Sequence, residues 1–77
     1  MTNLNPDDLD VHPEFAVGIL TLISQVSFHG GCSPEKVKTT FSVCPKCGGL
    51  IVVSKTPDGF LEGDLEIPAE GWSRVAA

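Results

Sequence analysis

The stretch that decides the fold is residues 29–55, which read HGGCSPEKVKTTFSVCPKCGGLIVVSK. It holds two pairs of metal-ligating residue types, His29 with Cys32 and Cys44 with Cys47, and two residues lie inside each pair. Eleven residues separate the pairs, so the whole pattern is H-x2-C-x11-C-x2-C. One imidazole and three thiolates form a recognised tetrahedral zinc set. The spacing therefore predicts one structural Zn²⁺ per chain, held by His29, Cys32, Cys44 and Cys47.

Other interpretations of these residues stay open. A Cys-Pro-x-Cys pair can be a redox dithiol, but that chemistry normally sits at a helix start in a larger fold. Here Gly48-Gly49 is followed by Leu50-Ile51-Val52-Val53, a pattern that indicates a turn and then a strand. Iron is a further alternative, although an imidazole ligand favours zinc. His12 is the alternative to His29, because a histidine near a helix end is also a favourable cation there.

Residues 28–67, and above all Cys44-Pro45-Lys46-Cys47-Gly48, resemble the zinc-ribbon and rubredoxin-like knuckle domains. Those families more often carry Cys-x2-Cys in the first knuckle, so His29 departs from their pattern. The resemblance implies a structural metal and a small β-rich module that binds macromolecules or decorates a larger assembly. It implies no activity, because function depends on the site and not on the fold.

One helix is predicted over residues 13–28. Pro13 suits the first helical position, Glu14 complements the positive helix start, and Gly30-Gly31 provides a stop. A second helix start at Ser33-Pro34 has room for only a turn or two.

Strands are predicted on both sides of the cysteine pair, over residues 39–43 and 50–55. Thr56-Pro57-Asp58-Gly59 is a turn pattern, and residues 60–67 return as an interrupted strand with a kink at Gly63-Asp64. The predicted fold is α+β, with one N-terminal amphipathic helix followed by a small ribbon-like antiparallel sheet of about three strands.

The chain has 77 residues, which is the size of one domain. Residues 13–68 are predicted to form it, after an acidic and partly mobile lead-in at 1–12 and before a C-terminal tail at 69–77. Leu4, Leu9 and Val11 are the lead-in residues with side chains suited to docking. Chains this short usually need a disulfide, a metal or a partner subunit for stability.

The predicted helix carries an apolar arc of about 160–180°, wider than the ~100° stripe of an ordinary surface helix. A three-stranded sheet offers too little apolar surface to cover that arc. The helix 13–28 is therefore expected to meet a partner protein or a second copy in a homodimer, unless the chain ends fold over it. The residues expected at this interface are Phe15, Ile19, Leu22, Ile23, Val26 and Trp72.

The formal charge of −5 argues against nucleic acid as a partner, since such binding depends on neutralising phosphates with Lys and Arg. A nucleic-acid-binding ribbon stays the alternative function, and it would use Lys36, Lys38, Lys46 and Lys55. No apolar run approaches the ~20 residues that span a bilayer, so no membrane segment is expected.

A closed set of four ligands leaves no open metal position, and no other catalytic arrangement stands out, so an enzyme is not expected. The sequence thus predicts a small protein-interaction module that zinc stabilises. It would act as an adaptor, regulator or inhibitor of a larger macromolecular machine. Free thiols that hold zinc indicate a reducing compartment, hence the cytoplasm.

Overall fold

The computed structural model describes residues 3–75 of the chain. Within these residues, one helix and six short strands follow each other along the sequence. They are β1 (Asn3–Leu4), β2 (Leu9–Val11), α1 (Pro13–Gly30), β3 (Lys38–Val43), β4 (Leu50–Lys55), β5 (Glu62–Ile67) and β6 (Trp72–Arg74). Short 3-10 turns occupy Pro6–Asp8, Pro34–Lys36 and Ala69–Gly71. The predicted α+β class is confirmed.

Helix α1 begins at Pro13, as predicted, and ends two residues later than predicted, at Gly30. Gly31 adopts the left-handed conformation with φ 68°, and its N–H donates to the carbonyl of Ser27. Glycine suits this capping position because a side chain there would be strained. Gly31 therefore ends the helix, and Gly30 is its last residue.

The main sheet has the strand order β1-β3-β4-β5 with antiparallel neighbours. In the β3–β4 hairpin, Val43 faces Leu50 beside the cysteine turn, and Lys38 faces Lys55 at the opposite end. Strand β5 is continuous through Gly63-Asp64, where the sequence predicted a kink, because Gly63 pairs in register with Ser54 of β4.

Both chain ends take part in the fold, which corrects the prediction of a lead-in and a tail outside a three-stranded domain. Strand β1 adds a fourth strand to the main sheet beside β3, and β2 pairs with β6 in a second, two-stranded sheet. Leu4, Leu9 and Val11 pack against the core, so burial of their apolar side chains holds these short strands in place. Residues 1–2 of the predicted lead-in and residues 76–77 of the predicted tail lie outside the described residues.

The core lies between α1 and the main sheet. Leu50 and Val52 of β4 and Ile67 of β5 have no exposed surface, and Val26 of α1 is 4% exposed. Burying an aliphatic side chain of this size stabilises a fold by about 1.5–3 kcal/mol relative to leaving it in water. Ser54 is also fully buried, and its hydroxyl lies 3.0 Å from that of Thr39.

Glycines permit α1 to approach β5 closely. A Cβ on Gly63 would lie 2.9 Å from Leu22 Cδ1, and one on Gly71 would lie 2.6 Å from the Phe15 ring. On the helix itself, a Cβ on Gly18 would lie 3.4 Å from Leu65 Cδ2. The helix therefore runs antiparallel along β5, with its N-terminus near Gly71 and its C-terminus near Thr56.

These contacts predict opposite effects for two glycine-to-alanine substitutions. Gly71→Ala should destabilise the fold by about 1–3 kcal/mol, because the new methyl group overlaps Phe15 and Ile67 Cγ2. Gly18→Ala should be neutral or stabilise it by up to about 1 kcal/mol, because alanine is the better helix former and meets only an ordinary contact. Urea unfolding of both variants measures the difference, and equal losses of stability would contradict the packing described.

The predicted turn at residues 56–59 forms between β4 and β5. The Thr56 hydroxyl donates to Asp58 Oδ1 at 2.6 Å, and the backbone N–H of Phe60 donates to the same oxygen at 3.1 Å. These hydrogen bonds to the charged carboxylate hold the pKa of Asp58 below its usual range. The turn is therefore stabilised by the ionised form of Asp58.

This arrangement predicts a pH-dependent contribution of Asp58 to stability. The pKa of Asp58 is lower in the folded chain than in the unfolded chain. Its contribution to stability is therefore complete at pH values above the ordinary carboxyl pKa, and it is lost as pH falls through the pKa of the folded chain. The stability difference between the wild type and Asp58→Asn should be largest near neutral pH and disappear in acid. Chemical denaturation across this pH range checks the expectation, and a difference that grows in acid would refute it.

Candidate functional site

The turn between β3 and β4, residues 44–49, forms a compact loop that we call the cysteine knuckle. The Cys44 N–H donates to the Gly49 carbonyl at 2.8 Å, and the Gly48 N–H donates to the Cys44 carbonyl at 2.9 Å. Gly48 has φ 74°, a conformation that favours glycine. The indole N–H of Trp72 donates to the Gly48 carbonyl at 3.1 Å, so the knuckle is also attached to β6.

Backbone N–H groups of the knuckle point at its two sulfurs. Those of Cys47 and Lys46 donate to the Cys44 sulfur and, together with the Cys47 thiol, lower the pKa of Cys44. The Gly49 N–H acts to lower the pKa of Cys47, but the hydrogen bonds of its thiol with Cys44 and Glu66 outweigh this effect and raise it. The distance from Cys47 Sγ to Glu66 Oε1 is 3.4 Å. The knuckle thus brings two thiols and one carboxylate together at the end of the sheet.

The other predicted ligand pair lies at the opposite end of the molecule. His29 is exposed in the last turn of α1, where its ring contacts Phe28 edge-on with centroids 5.3 Å apart. Cys32 follows the helix and is half-buried, and its N–H and carbonyl both bond to Ser27. From there β3 runs six residues to the knuckle, a length of about 17–20 Å at ~3.3 Å per residue.

The structure therefore places His29 and Cys32 apart from Cys44 and Cys47, and the four-ligand zinc site stays a prediction. Among residues 3–75, no three His, Cys, Asp or Glu side chains are grouped so that they could hold a metal ion. His12, the alternative ligand, precedes α1 and lies at the knuckle end of the helix, where its N–H bonds to Gly71. The separation of the two pairs follows from the direction of β3, which is extended and carries Cys44 away from Cys32.

Most of the predicted partner-binding residues pack against the core of the same chain. Phe15, Ile19, Leu22 and Trp72 pack against the core, Val26 is buried, and Ile23 is half-buried. Gly18, which the helical period places on a polar stripe with Glu14, also meets the sheet at Leu65. The helical period shows how wide an apolar arc is, but it does not show which part of a wide arc the sheet covers.

The exposed apolar residues of α1 lie on its opposite side, and none of them is among the predicted interface residues. Val17, Leu20 and Phe28 are 63%, 65% and 82% exposed. They line a shallow groove of about 430 Å³ that we call the outer helix face. Its residues are Val17, Leu20, Thr21, Ser24, Gln25, Phe28 and His29. The spacing of Val17, Leu20, Ser24 and Phe28, at intervals of three and four residues, is the signal that could have identified this face.

A second groove of about 290 Å³ adjoins the outer helix face, and Leu20 lines both. Strand β2 supplies Leu9 and Val11, and β3 supplies Phe41. The remaining lining residues are Pro6, Ala16 and Ile19. Apolar surface is therefore continuous from Phe28, along the helix, to the chain's N-terminal turn.

The four lysines of the alternative nucleic-acid hypothesis do not form one patch. Lys38 and Lys55 are paired across β3 and β4, and Lys36 precedes them, whereas Lys46 lies in the knuckle at the other end of the sheet. Glu62 is the register partner of Lys55 on β5. Two lysines and one glutamate thus lie side by side across this end of the sheet.

Comparisons with protein-family models, curated proteins and solved structures find nothing that matches this chain. The part of the chain from residue 3 to residue 75 contains no helix with the length and hydropathy needed to cross a membrane.

The environment of the two knuckle sulfurs predicts their relative reactivity in the reduced, metal-free chain. Cys44 should be alkylated by iodoacetamide at lower pH than Cys47, because the thiolate is the nucleophile and its pKa is lowered only at Cys44. Glu66→Gln should move both profiles to lower pH, because the carboxylate raises the pKa of each thiol. Peptide mapping by mass spectrometry measures both effects, with Cys32 as the internal control. Preferential reaction of Cys47 would contradict the assignment.

Proposed function

We propose that this chain is a protein-interaction module that binds a segment of another protein on the outer helix face. The observation that carries the proposal is the exposure of Val17, Leu20 and Phe28 along one side of α1. A contiguous apolar surface that water covers in the isolated chain is typical of a protein-binding site. Phenylalanine is one of the residue types enriched in protein interfaces relative to the rest of the surface, and Phe28 is the most exposed of the three.

The charges around this surface indicate the chemistry of the partner. No Lys or Arg occurs before Lys36, whereas Asp7, Asp8 and Asp10 lie in the segment bordering the second groove, and Glu14 lies in the first turn of α1. A segment with apolar side chains on one face and Lys or Arg beside them complements both features. A second copy of this chain would bring two acidic borders together, which disfavours self-association through this face.

Binding is favoured over catalysis by the composition of the grooves. His29 is the one titratable side chain that lines either of the two grooves described. General acid–base or nucleophilic catalysis normally needs further groups within hydrogen-bonding reach. The module would act as an adaptor, regulator or inhibitor of its partner, in a reducing compartment such as the cytoplasm where its thiols stay free.

Designed peptides test this proposal without knowledge of the natural partner. An amphipathic helical peptide of Leu and Lys should bind the chain and shift the amide NMR signals of residues 17–28. The same peptide with Glu in place of Lys should bind much more weakly, and the affinity of the basic peptide should fall with added salt because of charge screening.

Two phenylalanine variants provide the matched comparison. Phe28→Ala should weaken binding of the basic peptide by about tenfold, the effect of losing an interface residue worth ~1.4 kcal/mol. Phe60→Ala removes a similarly exposed ring, 86% exposed, from the β4–β5 connection. This variant should leave the affinity for the peptide unchanged. Equal effects of the two variants would overturn the proposal. So would a monomer–dimer equilibrium of the chain alone that is lost in Phe28→Ala, because the second copy would then occupy this face.

A further inference from the structure

The cysteine knuckle has the features of a metal site but supplies only part of a coordination shell. Backbone N–H groups of Lys46, Cys47 and Gly49 lie against its two sulfurs, so the loop holds both thiols in one place. Cys47 is exposed and Cys44 is half-buried, so an ion can reach both from solvent. Structural zinc takes four ligands in a tetrahedron. In the described chain, His29 and Cys32 are separated from the knuckle by the length of β3 and cannot complete it.

We propose that Cys44 and Cys47 form one half of an intermolecular zinc site, which the same two cysteines of a second copy complete. One Zn²⁺ then bridges two chains related by a two-fold axis, with four thiolates in a closed structural set. Each of the four thiols releases its proton to solvent when the ion binds, and no sulfur changes oxidation state. This inference is independent of the outer helix face and of the function proposed for it.

Charged side chains from both copies would surround a bridging ion at the knuckle. Four thiolates around Zn²⁺ leave two negative charges on the site. Lys46 lies between the two cysteines and is exposed, so the two copies together bring two positive charges to the bridge. Glu66, whose Oε1 lies 3.4 Å from Cys47 Sγ, adds one negative charge per copy, so the two lysines balance the two glutamates and the two negative charges of the thiolates remain.

The knuckle is also fixed in position before any metal binds. Trp72 holds the Gly48 carbonyl, and the two backbone hydrogen bonds between Cys44 and the glycines close the loop. A preformed pair of ligands loses less conformational entropy on binding than a flexible one. The adjacent Glu66 alternates along β5 with the buried Ile67, so the Cys47 sulfur lies toward the sheet face opposite α1. A bridge at this position leaves the outer helix face uncovered.

Titration of the reduced, metal-free chain with Zn²⁺ alone tests the inference. Native mass spectrometry and analytical ultracentrifugation should show one zinc for two chains and a doubling of the mass from 8.1 kDa, reversed by a chelator. Co²⁺ in place of Zn²⁺ should give the absorption of a tetrahedral ion with four thiolate ligands. These measurements on the unaltered chain keep the inference testable even where a variant fails to fold.

Variants of the cysteines and of His29 distinguish the intermolecular site from the four-ligand site predicted from sequence. Cys44→Ser and Cys47→Ser should abolish both zinc binding and the mass change, whereas Cys32→Ser and His29→Ala should preserve them. Phe28→Ala should also preserve them, so a failure of the interaction surface and a failure of the metal bridge can be distinguished.

Three results would overturn the bridge. One is a monomer with one zinc per chain, lost in Cys32→Ser, because all four ligands would then come from one chain. Another is zinc binding by the monomer that depends on Cys44 and Cys47 but not on Cys32. The third is the absence of any zinc binding under reducing conditions.

Discussion

The close packing of α1 along β5 is the constraint on which the rest of the structure depends. The helix contacts β5 at positions where glycine removes the side chain that would otherwise hold the two elements apart, most tightly at Gly63. This approach buries Leu50, Val52 and Ile67 completely in a chain of only 77 residues. It also fixes the direction of the helix, because the Phe15 end meets Gly71 and the Gly30 end meets Thr56 and Leu61.

The direction of α1 along β5 determines where His29 and the three cysteines lie. The C-terminus of α1 carries His29 and Cys32 to one end of the sheet, and the β3–β4 turn carries Cys44 and Cys47 to the other. The same packing selects which side of a broad apolar helix is covered, and so leaves Val17, Leu20 and Phe28 facing water. A short chain thereby presents a cysteine knuckle and an apolar helix surface in separate places.

The two ends of the chain help to hold this small domain together. The two-stranded sheet of β2 and β6 joins the two ends of the chain, and Trp72 connects it to the knuckle through the Gly48 carbonyl. Side chains from β1 and β2 then pack around the buried cluster. A metal at the knuckle would accordingly act on association between chains, while apolar burial and strand pairing hold each chain together.

The local structure of this protein follows from short sequence signals. Pro13 and Gly31 set the limits of α1, the strands on either side of the knuckle follow from their β-branched residues, and the Cys-Pro-x-Cys-Gly-Gly pattern indicates the turn itself. Each of these signals acts over a few residues, through backbone conformation and capping. Tertiary structure determined the strands at residues 3–4, 9–11 and 72–74, because pairs such as Asp10 with Ser73 join residues far apart in sequence. It also decided the covered side of α1 and the separation of His29 and Cys32 from the knuckle, since both depend on the direction in which elements pack and not on the spacing of residues.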